Sequence, residues 1–386
     1  TTGYGKACSL TTRIKTPGGW TTMGDIKLGD VITAWDGTPT TVTGVYPQGE
    51  LPAYRVTMWD GRYVDVCGEH LWKCFAIDNQ PHKRWGVRTT LEMLRFISRT
   101  NPRVYLPLIL PEQTPDVELP IDPWFIGYMI GNGYSHRDRT SVSSRDEFVL
   151  EKIQAIISPM GMELSKQSDY DYTLVSKENS RTNPVRAILV ELGLHNCYSY
   201  TKFIPKIYKT ASVKQKLELI QGLIDSDGFV DKGGSVSYTS SSSRLVKDVQ
   251  EVIWSLGGIA AVYEKNNPVY TYKGEKRNGA PSYTVGIRYH KPSELISLPR
   301  KKERVNDDNQ YAKILKLRVR SIEPISPRQM QCISVDHPDK LFVVGDYIVT
   351  HNTVGTIWGL QKRGIRPLIT MSSRMKQWKS EYLEYT

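Results

Sequence analysis

The chain has 386 residues, too many for one ordinary domain and enough for two or three. With 39 % hydrophobic and 24 % charged residues it is neither disordered nor fibrous. No apolar run reaches the roughly 18 residues of a membrane span, and TTGYGKACSL lacks the basic-then-apolar pattern of a signal peptide. The net charge of +11 suits a polyanionic partner, nucleic acid before membrane.

The predicted elements begin with residues 10–75, which alternate apolar and polar side chains between the turn signals PGG, DG and PQG and read as short β segments. A stretch with Pro102, Pro107, Pro111 and Pro115 reads as a linker. From about Asp122 to about Leu298, helical segments alternate with strand pairs. DPWFIGYMIGNG and KQKLELIQGLIDSDG look like short buried helices; EFVLEKIQAIISPMG and RLVKDVQEVIWSLGG look amphipathic. The charged run RKKERVNDDNQ from Arg300 reads as a second linker, and residues 313–352 return to the β texture.

The middle repeats itself. GYMIGNG from Gly127 matches GLIDSDG from Gly222, an offset of 95, and IQAIISPMG from Ile153 matches VQEVIWSLG from Val249, an offset of 96. Two copies of one unit predict a pseudo-twofold domain, inserted in a loop of a β-rich domain.

The five cysteines, Cys8, Cys67, Cys74, Cys197 and Cys332, are odd in number and widely spaced, with no CxxC pair. They indicate a reducing cytoplasm and no zinc site. The ends of the chain carry a different signal. Joining Lys6 to Thr353 gives TTGYGKTVGTIWGL, the G-K-[ST] core of a phosphate-binding loop leading into a helix. The motif exists only once residues 7–352 are removed. PLITMSSRMKQWKSEYLEY, further on, resembles the next motif of a superfamily 2 helicase, so the flanks read as pieces of an interrupted ATPase. A helicase reading for the whole chain fails, because the loop is broken and no Asp-Glu-rich ATPase box is present.

The right-hand edge supplies cleavage chemistry. The side-chain amide of Asn352 can attack its own backbone carbonyl and form a succinimide, cutting the bond to Thr353, with the His351 imidazole moving protons. With TPGGW, GDVITAWDG, GEHLW and the terminal FVVGDYIVTHN, residues 7–352 resemble an intein over about nine tenths of the chain. The resemblance implies a mainly β horseshoe (Hint) splicing domain that works without cofactor.

Counting the family spacing back from Trp20 selects Ala7 as the first residue, and only a cut before Ala7 restores GKT. Ala7 has no nucleophile. A subclass, class 3, replaces it with a Trp–Cys–Thr triplet, which falls here on Trp72, Cys332 and Thr350. The resemblance implies that Cys332, as an activated thiolate, attacks the carbonyl of Lys6, with Trp72 and Thr350 positioning and activating it. It also implies that His70 polarises the amide and protonates the leaving amine, that Thr353 takes the acyl group, and that Asn352 cyclises with help from His351. Cys67 stands where the family has Thr, three residues before the His. The competing reading makes Cys8 the first nucleophile.

The repeated helices resemble the LAGLIDADG motif of homing endonucleases. In that family each helix end delivers one acid to a shared centre that binds Mg²⁺ and hydrolyses double-stranded DNA. Asp227 is the acid, and metal ligand, of the second copy; Asn132 replaces it in the first. The expectation is an impaired nuclease that still binds DNA through Arg137, Arg139, Lys273, Lys276 and Arg277. The expected organisation is flanks 1–6 and 353–386, a splicing domain in two parts (7–112 and 312–352), and an α+β endonuclease-like domain (118–305). The expected partners are the chain itself, in cis splicing of a host helicase, and DNA; a monomer is expected. A DNA-binding module with inactive splicing is the alternative of another class.

Overall fold

A computed structural model describes residues 6–77, 85–97, 103–178, 182–266, 269–272, 275–279, 281–308 and 315–351, with the backbone alone for 269–278. All five cysteines are free thiols. The chain forms two compact units, one of residues 1–58, 62–107 and 318–386, the other of 59–61 and 108–317. No helix of the described residues is long and apolar enough to cross a membrane.

The first unit is the expected mainly β horseshoe. Its frame is a ribbon of two long strands, Pro39–Met58 and Leu317–Val335, paired antiparallel. Side chains along Pro39–Met58 alternate in and out at Thr40, Val42 and Gly44 and again towards Met58, as a half-buried strand requires. Register shifts after Val319, Ile325, Met330 and Ser334 place irregularities along the ribbon, and such bulges bend strands. The ribbon belongs to an eight-stranded sheet that includes Cys8–Ser9, Tyr63–Cys67 and Leu71–Ile77. Cys8 lies between Gln331 on one side and Val66 on the other, so the N-terminus threads the middle of the sheet.

A second, four-stranded sheet runs Ile348–His351, Leu341–Val344, Arg13–Thr16, Gly19–Thr22. Its C-terminal hairpin is held at the turn. Tyr347 has a left-handed backbone (φ 61) and packs edge-on against Trp20 at 5.0 Å. The buried Arg62 guanidinium donates to the Tyr347 carbonyl at 3.0 Å. These contacts fix where Thr350 and His351 emerge.

One expectation is corrected here. The Pro-rich stretch is not all linker, because Arg103–Leu106 is a strand of the eight-stranded sheet, its Tyr105 opposite Phe75. The alternation R-V-Y-L, with Val104 and Leu106 buried, outweighs the flanking prolines.

The second unit is the expected α+β fold with a pseudo-twofold repeat. Pro123–Asn132 starts on Asp122, whose carboxylate accepts from the Phe125 amide at 2.9 Å, with proline at the first helical position. Val213–Asp227 starts on a capping box of Ser212 and Gln215. Each helix leads into a four-stranded sheet of the same strand order: Gly133–His136, Arg139–Ser143, Asp171–Ser176, Met162–Lys166 in the first half, and Gly228–Val230, Val236–Ser240, Ser282–Arg288, Ile259–Lys265 in the second. The amphipathic helices are Glu147–Ile157 and Ser243–Ser255.

The two motif helices touch backbone to backbone. A β-carbon on Gly127 would collide with the Leu219 carbonyl oxygen, and one on Gly222 with the Trp124 carbonyl oxygen. These are backbone atoms that cannot rotate away, so the helices must separate. Gly222→Ala is expected to destabilise the second unit by about 2 kcal/mol or more. Hydrogen exchange by mass spectrometry reads this as lost protection in 123–132 and 213–227, with protection in 39–58 unchanged.

Candidate functional site

The Lys6–Ala7 amide enters the first unit beside three thiols and an imidazole. Ala7 is fully buried, and it packs in one cluster with Ala53, Cys67, Met330 and Cys332. The Ala7 N–H points at the Cys67 sulfur at 3.2 Å, and the Cys67 amide donates to the Ala7 carbonyl at 3.0 Å. The Lys6 carbonyl oxygen lies 3.0 Å from His70 Nδ1. A carbonyl only accepts, so Nδ1 carries the proton and Nε2 is the acceptor. Nε2 faces the Thr350 hydroxyl in a short hydrogen bond, which the hydroxyl therefore donates. His70 is a neutral bridge between the incoming amide and the C-terminal hairpin.

Burial enforces that neutral state. His70 is 1 % exposed and its pKa is pushed down to about 3, first by loss of solvation and partly by the charges of His351 and Lys6. His351, opposite Leu341 in the last strand, is pushed down to about 4 by burial and by the Lys6 and Lys73 charges. Burial drives the thiols the other way. Cys332 rises to about 12, although the Lys6 charge opposes this, and Cys67 and Cys8 are raised as well. The sequence expectation of an activated Cys332 thiolate is therefore not met in the resting chain; its thiol is protonated at neutral pH. Similarly, His70 is no imidazolium acid, and the proton it offers is the Nδ1–H held on the Lys6 carbonyl.

The triplet residues sit around the same site. The Trp72 ring meets His70 edge-on at 4.9 Å, and its indole N–H donates to the Thr90 hydroxyl at 3.0 Å. Thr90 in turn donates to the His70 carbonyl from its hydroxyl at 3.3 Å and from its amide at 2.9 Å. The contacts of Trp72 and Thr350 thus run to His70, while Cys332 shares the cluster with Ala7 and Cys67. Cys8 Sγ lies 3.9 Å from His70 Nδ1. Asn352 and Thr353 fall outside the described residues. Thr90 was not read from the sequence; it lies 20 residues from the group it holds.

In the second unit, Asn132 and Asp227 close the two motif helices. Asp227 keeps surface exposure at its helix end, while the protein packed around it raises its carboxyl pKa against the pull of Lys202 and Lys301. Those two lysines were missed by sequence reading, and Lys301 lies in the stretch read as a linker. Lys202 Nζ donates to the carbonyls of Gly131 and Gly133, both at 2.9 Å, at the end of the first helix. Lys301 Nζ donates to those of Ile224 at 2.6 Å and Gly228 at 2.7 Å, at the end of the second. Each ammonium sits on the negative end of a helix. Separations of 71 residues (Lys202 to Gly131) and 77 residues (Lys301 to Ile224) leave no local signal.

Asp225 is a buried clamp that accepts from Trp124 Nε1 at 2.8 Å and the Leu298 amide at 2.9 Å. Asp138 is an exposed partner of Arg186 at 3.1 Å. Arg137 and Arg139 are exposed near the end of the first helix. Lys273 and the side chains of Lys276 and Arg277 lie outside the described residues.

Residues 214–306 match the family model of a LAGLIDADG-like domain, and they contain the second motif helix, its sheet and Lys301. Around this domain, the two ends of the β unit converge on one buried amide. The chain carries a LAGLIDADG-like domain between the two parts of its β unit. It is similar to a replicative DNA helicase DnaB from Mycobacterium intracellulare, 28 % identical over 380 residues, which take in 91 % of this chain and 59 % of that protein. A solved MchDnaB-1 intein is 12 % identical, over 90 % of this chain and all of that one, with a TM-score of 0.29. The endonuclease I-DmoI in complex with DNA and Ca is 14 % identical, over 48 % of this chain and 95 % of that one, with a TM-score of 0.32.

The two buried histidines make the stability of the β unit depend on pH. A folded-state pKa below the unfolded value means that the unfolded chain binds more protons in acid. Full stability is present above about pH 6.5 and is lost as pH falls toward 3–4, at up to about 1.4 kcal/mol per pH unit for each histidine. Urea midpoints of Cys332→Ala between pH 7 and 4 should show this fall. Adding His70→Gln should flatten it; an unchanged slope means that His70 is protonated in the folded chain.

Proposed function

We propose that residues 7–352 excise themselves and join Lys6 to Thr353 by the class 3 route. The seating of the Lys6–Ala7 amide carries this reading: its carbonyl is on His70, its N–H is on Cys67, and Cys332 lies in the same buried cluster. The Cys332 sulfur bonds to the Lys6 carbonyl carbon, the bond to the Ala7 nitrogen breaks, and the thiol proton ends on the Ala7 amine. Because the thiol starts protonated, its proton leaves as the carbon–sulfur bond forms. The His70 Nδ1–H holds the charge that develops on the Lys6 oxygen, and Thr350 and Trp72 hold the ring. The Thr353 hydroxyl then takes the acyl group and restores the thiol. Asn352 cyclises to a succinimide with His351 beside it, and the freed ester rearranges to the Lys6–Thr353 amide.

The alternative junction, Ala7–Cys8, would present the Ala7 carbonyl for attack. That oxygen accepts the Cys67 amide, whereas the imidazole takes the Lys6 oxygen, which favours the cut before Ala7. The similarity to DnaB supports a host helicase, with this chain spanning 59 % of that relative.

Cys332→Ala should abolish N-terminal cleavage, while Cys8→Ala still yields joined flanks by gel and mass spectrometry. A dead Cys8→Ala beside an active Cys332→Ala would overturn the assignment.

For the inserted domain, the reading is DNA binding with impaired hydrolysis. One carboxylate and one amide, flanked by two ammonium groups, are a poor donor set for the divalent ions such a centre needs. The residues present do not fit Mg²⁺. Asn132→Asp should add a divalent site, read as at least a tenfold gain in Mn²⁺ affinity by electron paramagnetic resonance in a Cys332→Ala background. Equal Mn²⁺ binding by the two chains would remove the argument from position 132.

A further inference from the structure

The first half of the inserted domain carries an exposed run of aromatic rings that the splicing and metal arguments leave unused. Tyr134 and His136 alternate out of the strand Gly133–His136, with rings 6.1 Å apart and 25° from parallel. His136 meets Tyr198 at 5.9 Å, and Tyr198 stacks on Tyr200 at 5.6 Å with planes only 3° apart. Tyr134, Tyr198 and Tyr200 are 53 %, 55 % and 62 % exposed, so the rings form a ladder open to solvent and not a core edge.

The ladder is held in place from beneath. The Asn196 amide donates to the Ser135 carbonyl at 2.8 Å, and the Arg137 amide donates to Asn196 Oδ1 at 3.0 Å. Ser135 Oγ bonds His195 Nδ1 at 2.9 Å, and the Tyr198 amide donates to Thr201 Oγ1, also at 2.9 Å. Arg137 (φ 52) and Asn196 (φ 58) both keep left-handed backbones, and such strain persists where surrounding bonds over-determine it. The loop bearing Tyr198 and Tyr200 is thereby sewn to the strand bearing Tyr134 and His136.

The surroundings are basic. Arg137 and Arg139 are exposed at the strand end, and the exposed Asp138 between them pairs with Arg186 at 3.1 Å. The ladder is also one-sided. Across the repeat, Phe229 takes the place of Tyr134 and is exposed, but Asp231 takes the place of His136 and folds into a turn, accepting from the Gly233 and Ser235 amides. The half of the domain that lost its acid at Asn132 is the half that bears the ladder.

We propose that the Tyr134–His136–Tyr198–Tyr200 ladder is a stacking platform for successive unpaired bases, so that this domain binds single-stranded DNA. The inference rests on the DNA-binding reading above. Duplex DNA hides its base faces within the helical stack, whereas exposed aromatic rings beside cations match single strands, whose bases offer their faces and whose backbone is anionic.

The test uses the full chain with Cys332→Ala and Asn352→Ala, which remove the nucleophiles of both cleavage steps. The probes are a fluorescein-labelled oligothymidylate of about 30 nucleotides, longer than the roughly 4–16 nucleotides such sites cover, and a mixed-sequence duplex of the same length. Anisotropy is read at one fixed salt concentration. Tyr198→Ala and Tyr200→Ala should each weaken oligothymidylate binding about tenfold, with duplex binding within about twofold, while Tyr198→Phe binds as the parent does. Unchanged oligothymidylate binding in both alanine variants overturns the platform, as does a parent that binds duplex alone. A loss in Tyr198→Phe equal to that in Tyr198→Ala assigns the contact to the hydroxyl and also overturns it. If the parent binds neither DNA, the DNA-binding reading of the domain fails first.

Discussion

One neutral imidazole organises the splicing site. In its neutral state His70 bridges the two ends, donating from Nδ1 to the Lys6 carbonyl and accepting the Thr350 hydroxyl at Nε2. Burial is the largest cause of that neutral state, and the charges of His351 and Lys6 push the same way. The rest of the site follows from holding that ring. Trp72 packs on it, Thr90 ties its backbone, and the Tyr347 turn brings Thr350 to it.

The same burial governs the thiols with the opposite sign. A site that keeps imidazole neutral also keeps Cys332, Cys67 and Cys8 protonated. A permanently exposed thiolate would react with any electrophile, whereas a protonated buried one reacts where a carbonyl is delivered to it. The chain delivers that carbonyl itself, through the strand pairing of Cys8 with Gln331 and Val66. On the proposed route, reactivity comes from proximity more than from a shifted nucleophile pKa.

Much of the fold was legible because its signals are local or periodic. The two β stretches alternate, the motif helices carry small residues at matched positions, and the repeat announces the pseudo-twofold. Lys6, Ala7, His70, Trp72, Cys332 and Thr350 were legible by resemblance, and the structure places them around one buried site. Illegible residues act across long separations through generic contacts. Thr90, Lys202 and Lys301 hold backbone carbonyls, which any hydroxyl or ammonium can do, so no spacing marks them. The strand Arg103–Leu106 was hidden for another reason: four alternating residues carry less weight in a sequence than the prolines beside them.

The inserted domain shows how a repeat can diverge without losing its fold. The helix contact depends on Gly127 and Gly222, where the backbone leaves no room for a side chain, so both halves retain it. At the helix ends themselves, the Asn132 side chain is half-buried and Asp227 is exposed. Lys202 and Lys301 satisfy the terminal carbonyls in both halves, so the helices remain capped whether an acid or an amide closes them. Asn132 therefore costs the fold little while removing one of the two charges a dication would need. What constrains the domain as a folded object is separate from what would make it a nuclease, and only the first is enforced by its core.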